Sequence, residues 1–332
     1  MQGTAAPPRL DQPRGADHGK REQVTTTATT GKTRQRKGDL IFSGATRIAG
    51  LTILLALAGV AIFLTLEGLP ALEAGPEKLQ GADSIVAYIG PLLFGTLLAS
   101  AIALLIATPL AVGVALVISH YAPRRVSKSL GYAIDLLAAV PSVVYGLWGI
   151  GFLGPQLVPV YEWLEQNVGW LPFFAGPASS TGKTILTAGI VLAIMALPII
   201  TAISREIFAQ TPTLHQEAAL ALGATRWEMV RLAVFPYARS GIVSAVMLGL
   251  GRALGETMAV AMVLSASGIV TFNLISSDNP STIAANIALM FPEATGLGVN
   301  ALIATGLVLF VVTFAVNFTA RAIVARTEKG NR

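Results

Sequence analysis

The stretch TPTLHQEAALALGATRWEMVRLAVFPYARSGIVSAVMLGLGRALGETMAV, at residues 211–260, is the most informative part of the sequence. Its first half is a polar segment that bears arginines and lies between two apolar runs. Its second half is an apolar run with Arg252 and Glu256 near the middle. A charge at the centre of a bilayer costs about 2.5–3.5 kcal/mol on insertion scales, so it normally faces protein or water. The stretch therefore predicts a loop that contacts something outside the membrane, followed by a membrane helix with two interior charges.

The composition of the whole chain indicates a membrane protein. Apolar residues make up 53% of the 332 positions and charged residues only 12%, whereas a soluble domain carries about 25% charged residues. Because the chain has no cysteine, disulfides and cysteine-ligated metals are excluded. The three histidines, His18, His120 and His215, are far apart, so we expect no metal site and no cofactor.

Six apolar runs have the length of membrane-spanning helices, so the predicted fold class is an all-α membrane protein with six transmembrane helices. The loop at 154–183 carries the aromatic residues Trp163 and Trp170, which are typical of a membrane–water interface. A further apolar stretch at 283–291 is too short to span and is expected to be re-entrant or interfacial. The predicted spans are 45–66, 91–119, 130–152, 184–208, 241–267 and 297–320.

The distribution of basic residues predicts the orientation of the spans. With both termini in the cytoplasm, 20 of the 23 Lys and Arg residues lie in or beside four segments, 1–44, 120–129, 209–240 and 321–332. This is the asymmetry that the positive-inside rule requires. Residues 1–44 have no apolar run and are expected to be a disordered basic tail that contacts anionic membrane lipid, not nucleic acid.

No enzymatic site is expected in this chain. The segment GPASSTGKT at 176–184 is similar to a phosphate-binding loop, but five residues separate its glycines where that motif has four. A membrane-embedded enzyme would need convergent nucleophile, base or metal-ligand residues, and the sequence offers no such set. We therefore predict no catalytic residues and no nucleotide site.

The polar segment before the fifth span has the pattern of two short helices. EAALALG predicts a helical turn of small residues that let another surface approach closely, and Gly223 permits a sharp bend. The next piece, TRWEMVRLAVF, is amphipathic and is expected to end at Pro236. The residues alone fit two interpretations equally well: a helical hairpin that lies on lipid, or a docking element for a cytoplasmic partner.

This segment resembles the EAA loop of bacterial ABC importer permeases. An Ala, Ala233, stands where that family usually has isoleucine. The resemblance implies a type I ABC importer permease fold in which the loop forms a coupling helix that is seated in a groove of an ATPase subunit. The positions that match the motif are Glu217, Ala218, Ala219, Gly223, Phe235 and Pro236.

Two further segments resemble phosphate-importer permeases of the PstC type. They are YAPRRVSKSLGYAIDLLAAVPSVVYGLWGIGFLGP at 121–155 and GLGRALGETMAV at 249–260, and the similarity extends over about 91–320. The resemblance implies one half of an ATP-driven phosphate pathway in the bacterial cell membrane. The implied partners are a PstA-like second permease, PstB-like ATPases that hydrolyse ATP, and a PstS-like external phosphate-binding protein.

Three alternatives to this function remain open at the level of sequence. The chain could transport another oxyanion or be the PstA-type partner, which shares the Arg-to-Gly-Glu-Thr pattern. It could also be an ion-coupled secondary transporter that uses Arg252 and Glu256 as an anion and proton site. The EAA-like loop argues against the last alternative, and the inverted repeat that would favour it is not evident.

Arg252 and Glu256 have two interpretations of their own. They are four residues apart, so on one helical face they can form a structural ion pair. They can also line an anion path, because an arginine fork fits two phosphate oxygens, with Thr257 adding a hydroxyl group. Asp135, near the end of its predicted span, is a weaker candidate. Glycines near this face would let a neighbouring helix come close: Gly249, Gly251 and Gly255.

Overall fold

The computed structural model describes residues 37–73, 79 and 81–329. The chain divides into two compact units, Met1–Leu54 and Leu55–Arg332. Most of the predicted tail at 1–44 lies outside the described residues. The helices in the described part are α1 (Lys37–Gly68), α2 (Ile85–Leu116), α3 (Arg124–Ala138), α4 (Ser142–Trp148), α5 (Gly154–Val168), α6 (Ile185–Ala209), α7 (Thr213–Ala221), α8 (Arg226–Met229), α9 (Phe235–Gly255), α10 (Met258–Val263), α11 (Ile283–Met290) and α12 (Leu297–Lys329).

Three turns of π-helix extend or join these helices. Val117–Tyr121 continues α2, Gly149–Leu153 joins α4 to α5, and Val230–Val234 joins α8 to α9. Each π-turn holds one more residue than an α-helical turn, and such turns are frequent at functional sites. The joined helices therefore form longer continuous segments than the α-helical assignments alone suggest.

Within the described residues, six helical segments are long and apolar enough to cross a membrane, which confirms the predicted number of spans. The same residues contain one isolated β-bridge, between Ala266 and Asn279, and no β-strand, so the all-α class is confirmed. The six segments are Phe42–Glu73, Ile85–Tyr121, Ser142–Val168, Ile185–Ala209, Arg226–Gly255 and Leu297–Ala322.

The third span was predicted at the wrong place. The structure separates the predicted segment 130–152 into α3 and α4, with Pro141 as the residue that precedes α4. Proline has no backbone N–H to continue a helix, and α3 carries three basic residues and one acidic residue, so it is too polar to cross lipid. The span is instead Ser142–Val168, and it includes Trp163, which was expected in a loop.

The fifth span was also predicted at the wrong place, at 241–267. It begins at Arg226 and ends at Gly255, so the helix runs through Pro236 instead of ending there. The π-turn Val230–Val234 makes this possible, since the Phe235 N–H bonds to the Val230 carbonyl and Pro236 falls in the first turn of α9. At that position the missing N–H of proline costs little.

Close packing of α6 against α2 and α9 forms the core of the second unit. Along α2, every fourth residue from Ala99 to Ala115 is a buried alanine. Small side chains let helix backbones approach closely where lipid gives no hydrophobic driving force. Gly189 of α6 lies against the Ile102 side chain for the same reason. This packing fixes α9, which carries Arg252.

Asn279 connects three segments on the side of the molecule where α6 begins. Its side chain is fully buried, and its Oδ1 accepts a hydrogen bond from the Ile185 N–H at 3.0 Å. Its Nδ2 donates to the carbonyl oxygens of Ser276, at 2.9 Å, and Ser265, at 3.2 Å. Asn279 therefore joins the start of α6 to the segment after α10.

The short apolar stretch at 283–291 forms α11, whose first half is buried. The Ile283 N–H donates to Thr96 Oγ1 of α2 at 2.9 Å, and Asn286 Nδ2 donates to the Tyr88 hydroxyl at 2.7 Å. Thr282 caps the helix by accepting a bond from the Ala285 N–H. The stretch is thus a helix packed against α2 within the bundle.

Candidate functional site

The chain leaves the helical conformation between Arg252 and Thr257. Helix α9 ends at Gly255, and Glu256 has an extended backbone with φ −70° and ψ 126°. Of the two interpretations of Arg252 and Glu256, the structural ion pair is not formed: both residues are described, and they do not share one helical face. The two charges lie instead on either side of a helix break.

Glu256 is held by the short helix that follows the break. Its side chain is buried, and Oε1 accepts a hydrogen bond from the Ala259 N–H at 3.2 Å. A carboxylate at the start of a helix is stabilised by the free N–H groups there. Thr257 comes next and is half-buried. The carboxylate therefore belongs structurally to α10, whereas Arg252 belongs to α9.

Arg252 is half-buried and has spare donor capacity. Its Nε atom is buried and has no hydrogen-bond partner among the described residues, although buried polar groups are normally satisfied. The guanidinium lies near enough to the Tyr145 hydroxyl to interact with it electrostatically. That hydroxyl donates to the Leu137 carbonyl at 2.9 Å. An unsatisfied guanidinium N–H beside a helix break is suited to receive an anion from outside the chain.

One glycine of α4 and one of the π-turn after it place α10 next to this site. A Cβ on Gly146 would lie 3.0 Å from the Ala259 Cα, and one on Gly149 would lie 2.7 Å from Val263 Cγ2. Neither of these two glycines nor Tyr145 was predicted from the sequence as a site residue. The sequence indicates the glycines only by their spacing: Gly146 and Gly149 are three residues apart in GLWG, which puts two small residues on one helical face.

The three glycines near Arg252 have different surroundings. A Cβ on Gly249 would lie 2.7 Å from Ile200 Cγ1, so α9 packs closely on α6 at this point. Gly251 and Gly255 have no atom of another helix within 4 Å of a built Cβ. Within the described residues, only Gly249 of the three is therefore required for close helix packing.

Substituting valine at Gly249 is expected to destabilise the subunit by about 1–3 kcal/mol, since added atoms in a packed core force neighbours to move. The matched control is Gly251→Val, which places the same side chain in open space two residues away. Thermal unfolding of the purified subunit in detergent, followed by tryptophan fluorescence, measures both. Equal midpoints for the two variants would contradict the packing at Gly249.

The segment that resembles the EAA loop forms a bent pair of helices. Glu217 and Ala218 lie on the exposed side of α7. Gly223 has φ +87°, in the region that L-residues rarely adopt, and it reverses the chain after α7. Thr225 and Glu228 then form a reciprocal capping box at the start of α8. The sharp bend predicted at Gly223 is thus present.

A groove lies between the two arms of this hairpin. It has a volume of about 840 Å³. Four of the motif residues line it, and Leu222 at its rim is 89% exposed. Such an open apolar groove is available to a partner protein. The motif residues in the lining are Ala218, Ala219, Gly223 and Pro236.

Phe235 has a different position from the rest of the motif. Its ring packs edge to face on Phe208 at 6.1 Å and on Trp227 at 6.4 Å between centroids. His120, at the π-helical end of α2, also packs on Phe208, at 6.2 Å. Phe235 therefore anchors the hairpin to α6, and His120, considered in the sequence only as a metal ligand, lies in the same cluster.

A model of a known protein family matches most of the chain. Residues 107–329 match the model of the binding-protein-dependent transport system inner membrane component. The chain belongs to this family. The match includes the hairpin of α7 and α8, the helix break at Glu256 and helices α4 to α6, so the candidate site lies within the matched residues.

Relatives of this transport component cover nearly the full chain. A phosphate transport system permease protein, PstC 2 of Mycobacterium tuberculosis, is 47% identical over 307 residues, 89% of this chain and 94% of the relative. The phosphate transport system permease protein PstC of Mesorhizobium japonicum is 39% identical over 301 residues, 87% of this chain and 91% of the relative.

A solved structure shares the fold of this transport component. A bacterial ABC transporter involved in the import of the acidic polysaccharide alginate has a chain that matches with a TM-score of 0.55 and 17% identity. The match covers 86% of this chain and 98% of that chain. The type I ABC importer permease fold is therefore confirmed.

Proposed function

We propose that this chain is the permease subunit of an ATP-driven phosphate importer in the bacterial cell membrane, and that it forms half of the translocation pathway. The observation that carries the proposal is the buried Nε of Arg252, which has no hydrogen-bond partner among the described residues and lies beside the helix break at Glu256. The similarity to permeases named for phosphate transport supports phosphate as the substrate. Other oxyanions remain the competing substrates.

The three side chains at the break have separate roles in this proposal. Arg252 binds two phosphate oxygens with its planar fork, which a lysine ammonium cannot reproduce. Glu256, fixed by the Ala259 N–H, accepts a hydrogen bond from a protonated phosphate oxygen and repels a fully deprotonated anion such as sulfate. Thr257 supplies a hydroxyl group next to both. Selectivity then comes from one attractive group and one repulsive group.

Partner subunits supply the rest of the importer. A PstA-like permease closes the pathway on the open side of Gly251 and Gly255, and PstB-like ATPases bind the hairpin at Glu217 and Ala218 and hydrolyse ATP. A PstS-like protein delivers phosphate from outside. The related alginate transporter has been crystallised in complex with a periplasmic protein that holds its substrate, which supports an external binding protein for this chain as well.

Uptake of labelled phosphate tests the proposed substrate. The chain and its three partners are expressed in cells that lack other phosphate importers, and sulfate is added as a competitor in excess. We expect ATP-dependent uptake that sulfate does not inhibit and that stops when the ATPase gene is removed. Inhibition by sulfate, or uptake without the ATPase, would contradict phosphate selectivity or ATP coupling respectively.

Single cysteines are expected to confirm the orientation, because the natural chain has none. Ser180→Cys lies in an exposed position of the loop before α6 and should react with an impermeant thiol reagent in intact cells. Ser129→Cys, exposed on α3, should react only after lysis. The buried neighbour Ser179, 1% exposed, would be unsuitable for labelling. The reverse pattern would place the coupling hairpin outside the cell.

A further inference from the structure

Helix α3 presents three distinct faces along its 15 residues. The first is buried: Gly131 and Ile134 face the rest of the protein. The second is aliphatic and exposed, formed by Val126 at 47%, Leu130 at 39% and Leu137 at 47% exposure. We name these three residues the apolar stripe. The third face carries the basic residues of the helix.

The basic face of α3 is exposed and little neutralised. It consists of Arg124, Arg125 and Lys128, here named the basic edge, and all three are exposed. The acidic residue of the helix, Asp135, contacts Arg205 of α6, with 3.8 Å between Oδ1 and Nη2. Since Asp135 is engaged by Arg205, the basic edge keeps its positive charge for a ligand outside the chain.

Packing against α6 fixes the direction in which these faces point. The Arg205 guanidinium lies directly over Gly131, where a Cβ would displace it. Together with the contact between Arg205 and Asp135, this holds the buried face of α3 on α6. At about 100° per residue, the apolar stripe and the basic edge lie on opposite sides of α3, and the buried face lies between them along one side of the helix.

The position of α3 in the chain places it at the membrane surface. One span ends at Tyr121, just before α3, and the next begins at Ser142, just after it. Both ends of the helix are therefore attached to membrane-crossing segments on the same side of the bilayer. An amphipathic helix at this depth immerses its aliphatic face among acyl chains and keeps its charged face at the headgroups.

We propose that α3 binds anionic phospholipid, with the basic edge on the headgroup phosphate and the apolar stripe on the acyl chains. An anionic bilayer surface supplies both chemistries to a helix that lies in its plane, with acyl chains on the side of the apolar stripe and headgroup phosphates within reach of the long basic side chains on the opposite side. Tyr132, 60% exposed, lies beneath the Lys128 ammonium, which is 5.9 Å from its ring centroid. An aromatic ring and a basic side chain together are typical of the headgroup region. An acidic partner protein would account for the basic edge only. It would not account for the exposed apolar stripe.

Photo-cross-linking of lipid to the intact importer complex tests this surface. The complex is placed in nanodiscs of phosphatidylcholine that contain a photoreactive phosphatidylglycerol, or in parallel a photoreactive phosphatidylcholine with the same acyl chains. Mass spectrometry then measures the cross-linked fraction of residues 124–141. We expect strong labelling by the anionic lipid and weak labelling by the zwitterionic lipid.

Variants of the basic edge separate charge from structure. Each basic residue near an anionic surface contributes roughly a fivefold change in binding, so Arg124→Gln with Arg125→Gln and Lys128→Gln should lower labelling at least tenfold. Arg124→Lys with Arg125→Lys keeps the charge and should retain it. Lys183→Gln, far along the chain in another loop, is the matched control and should not change it.

Three outcomes would overturn the proposal. The first is equal labelling by the two lipids, and the second is unchanged labelling of the triple glutamine variant. The third is loss of the ATPase from the purified complex of that variant with lipid labelling unchanged, which would make the basic edge a protein interface. Assembly of the variant is checked by size-exclusion chromatography in the same preparation.

Discussion

Replacing Arg252 by lysine is expected to reduce phosphate uptake by roughly 10- to 100-fold, with normal amounts of the subunit in the membrane. The reduction follows from the loss of a planar, bidentate hydrogen-bonding group, because hydrogen bonds to charged groups contribute about 1.5–3 kcal/mol each. The positive charge itself is retained, so simple neutralisation does not cause the effect. Uptake of labelled phosphate, measured beside immunoblots of the membrane fraction, gives both quantities.

Substitutions of Glu256 separate the effect of its negative charge from the effect of its hydrogen bond to the Ala259 N–H. Glu256→Gln keeps an oxygen that can accept the Ala259 N–H bond but removes the charge. We expect this variant to assemble normally and to discriminate less well against sulfate. The double variant Arg252→Leu, Glu256→Leu should lose uptake. Because the two side chains form no ion pair, removing one of them does not compensate for removing the other. Near-normal uptake by that double variant would exclude an anion path at this break.

Replacing Gly223 by valine is expected to reduce ATP-coupled uptake by roughly 5- to 30-fold. The residue has φ +87°, and left-handed backbone costs an L-residue about 1–2 kcal/mol, a factor of that size in the population of the bent hairpin. A Cβ at this position has no neighbour within 4 Å, so a steric clash does not contribute. The measurement is recovery of the ATPase with the affinity-purified permease, together with uptake.

The matched variant at this position is Gly223→Asn. Asparagine adds a similar volume but tolerates positive φ, so it should retain most of the ATPase and most of the uptake. Glu217→Lys, on the exposed side of α7, should lose the ATPase as the valine variant does. It reverses a charge on the surface proposed to bind the ATPase without altering the bend at Gly223. Equal behaviour of the valine and asparagine variants would show that the bend is not what the partner requires.

Local sequence pattern was sufficient for the number of spans but not for all their limits. Long apolar runs identify membrane helices by length alone, which is why the segments that became α6 and α12 were placed well. The third span was misplaced because the mostly apolar second half of α3, residues 130–138, continues in sequence almost directly into α4. The contact of Gly131 with Arg205, 74 positions away, holds α3 on the bundle surface as a separate helix, and no local pattern reveals it.

The helix through Pro236 shows a second limit of local reasoning. Proline ordinarily ends a helix because it lacks an N–H, and this rule placed the boundary there. A π-turn just before it removes the conflict, and a π-turn has no recognised signature in a single sequence. Its formation here accompanies the burial of Val230 and Val234 against Phe208, a contact between distant segments.

The candidate site was found from charge, but its geometry was not. Arg252 and Glu256 stand out as charges within an apolar run, and that signal needs no structure. The helix break between them is accompanied by the close approach of α10 to Gly146 of α4 and by the hydrogen bond from the Ala259 N–H to the carboxylate, contacts that the local sequence does not reveal. The polar junction at Asn279 depends equally on partners at distant positions, and no local pattern reveals it.

The continuous helical path from Arg226 to Gly255 has a mechanical consequence. Arg226 and Arg252 are 26 residues apart, which at 1.5 Å per residue corresponds to a rod about 39 Å long. A tilt of about 5° at the hairpin end would shift the other end by about 3 Å, comparable to one hydrogen-bond length. Glu256 is hydrogen-bonded to the Ala259 N–H of α10, whereas Arg252 is part of the helix that tilts. Such a tilt therefore changes the distance between the guanidinium and the carboxylate. In the proposed importer, movement of the hairpin by the ATPase would in this way change how strongly the break holds an anion.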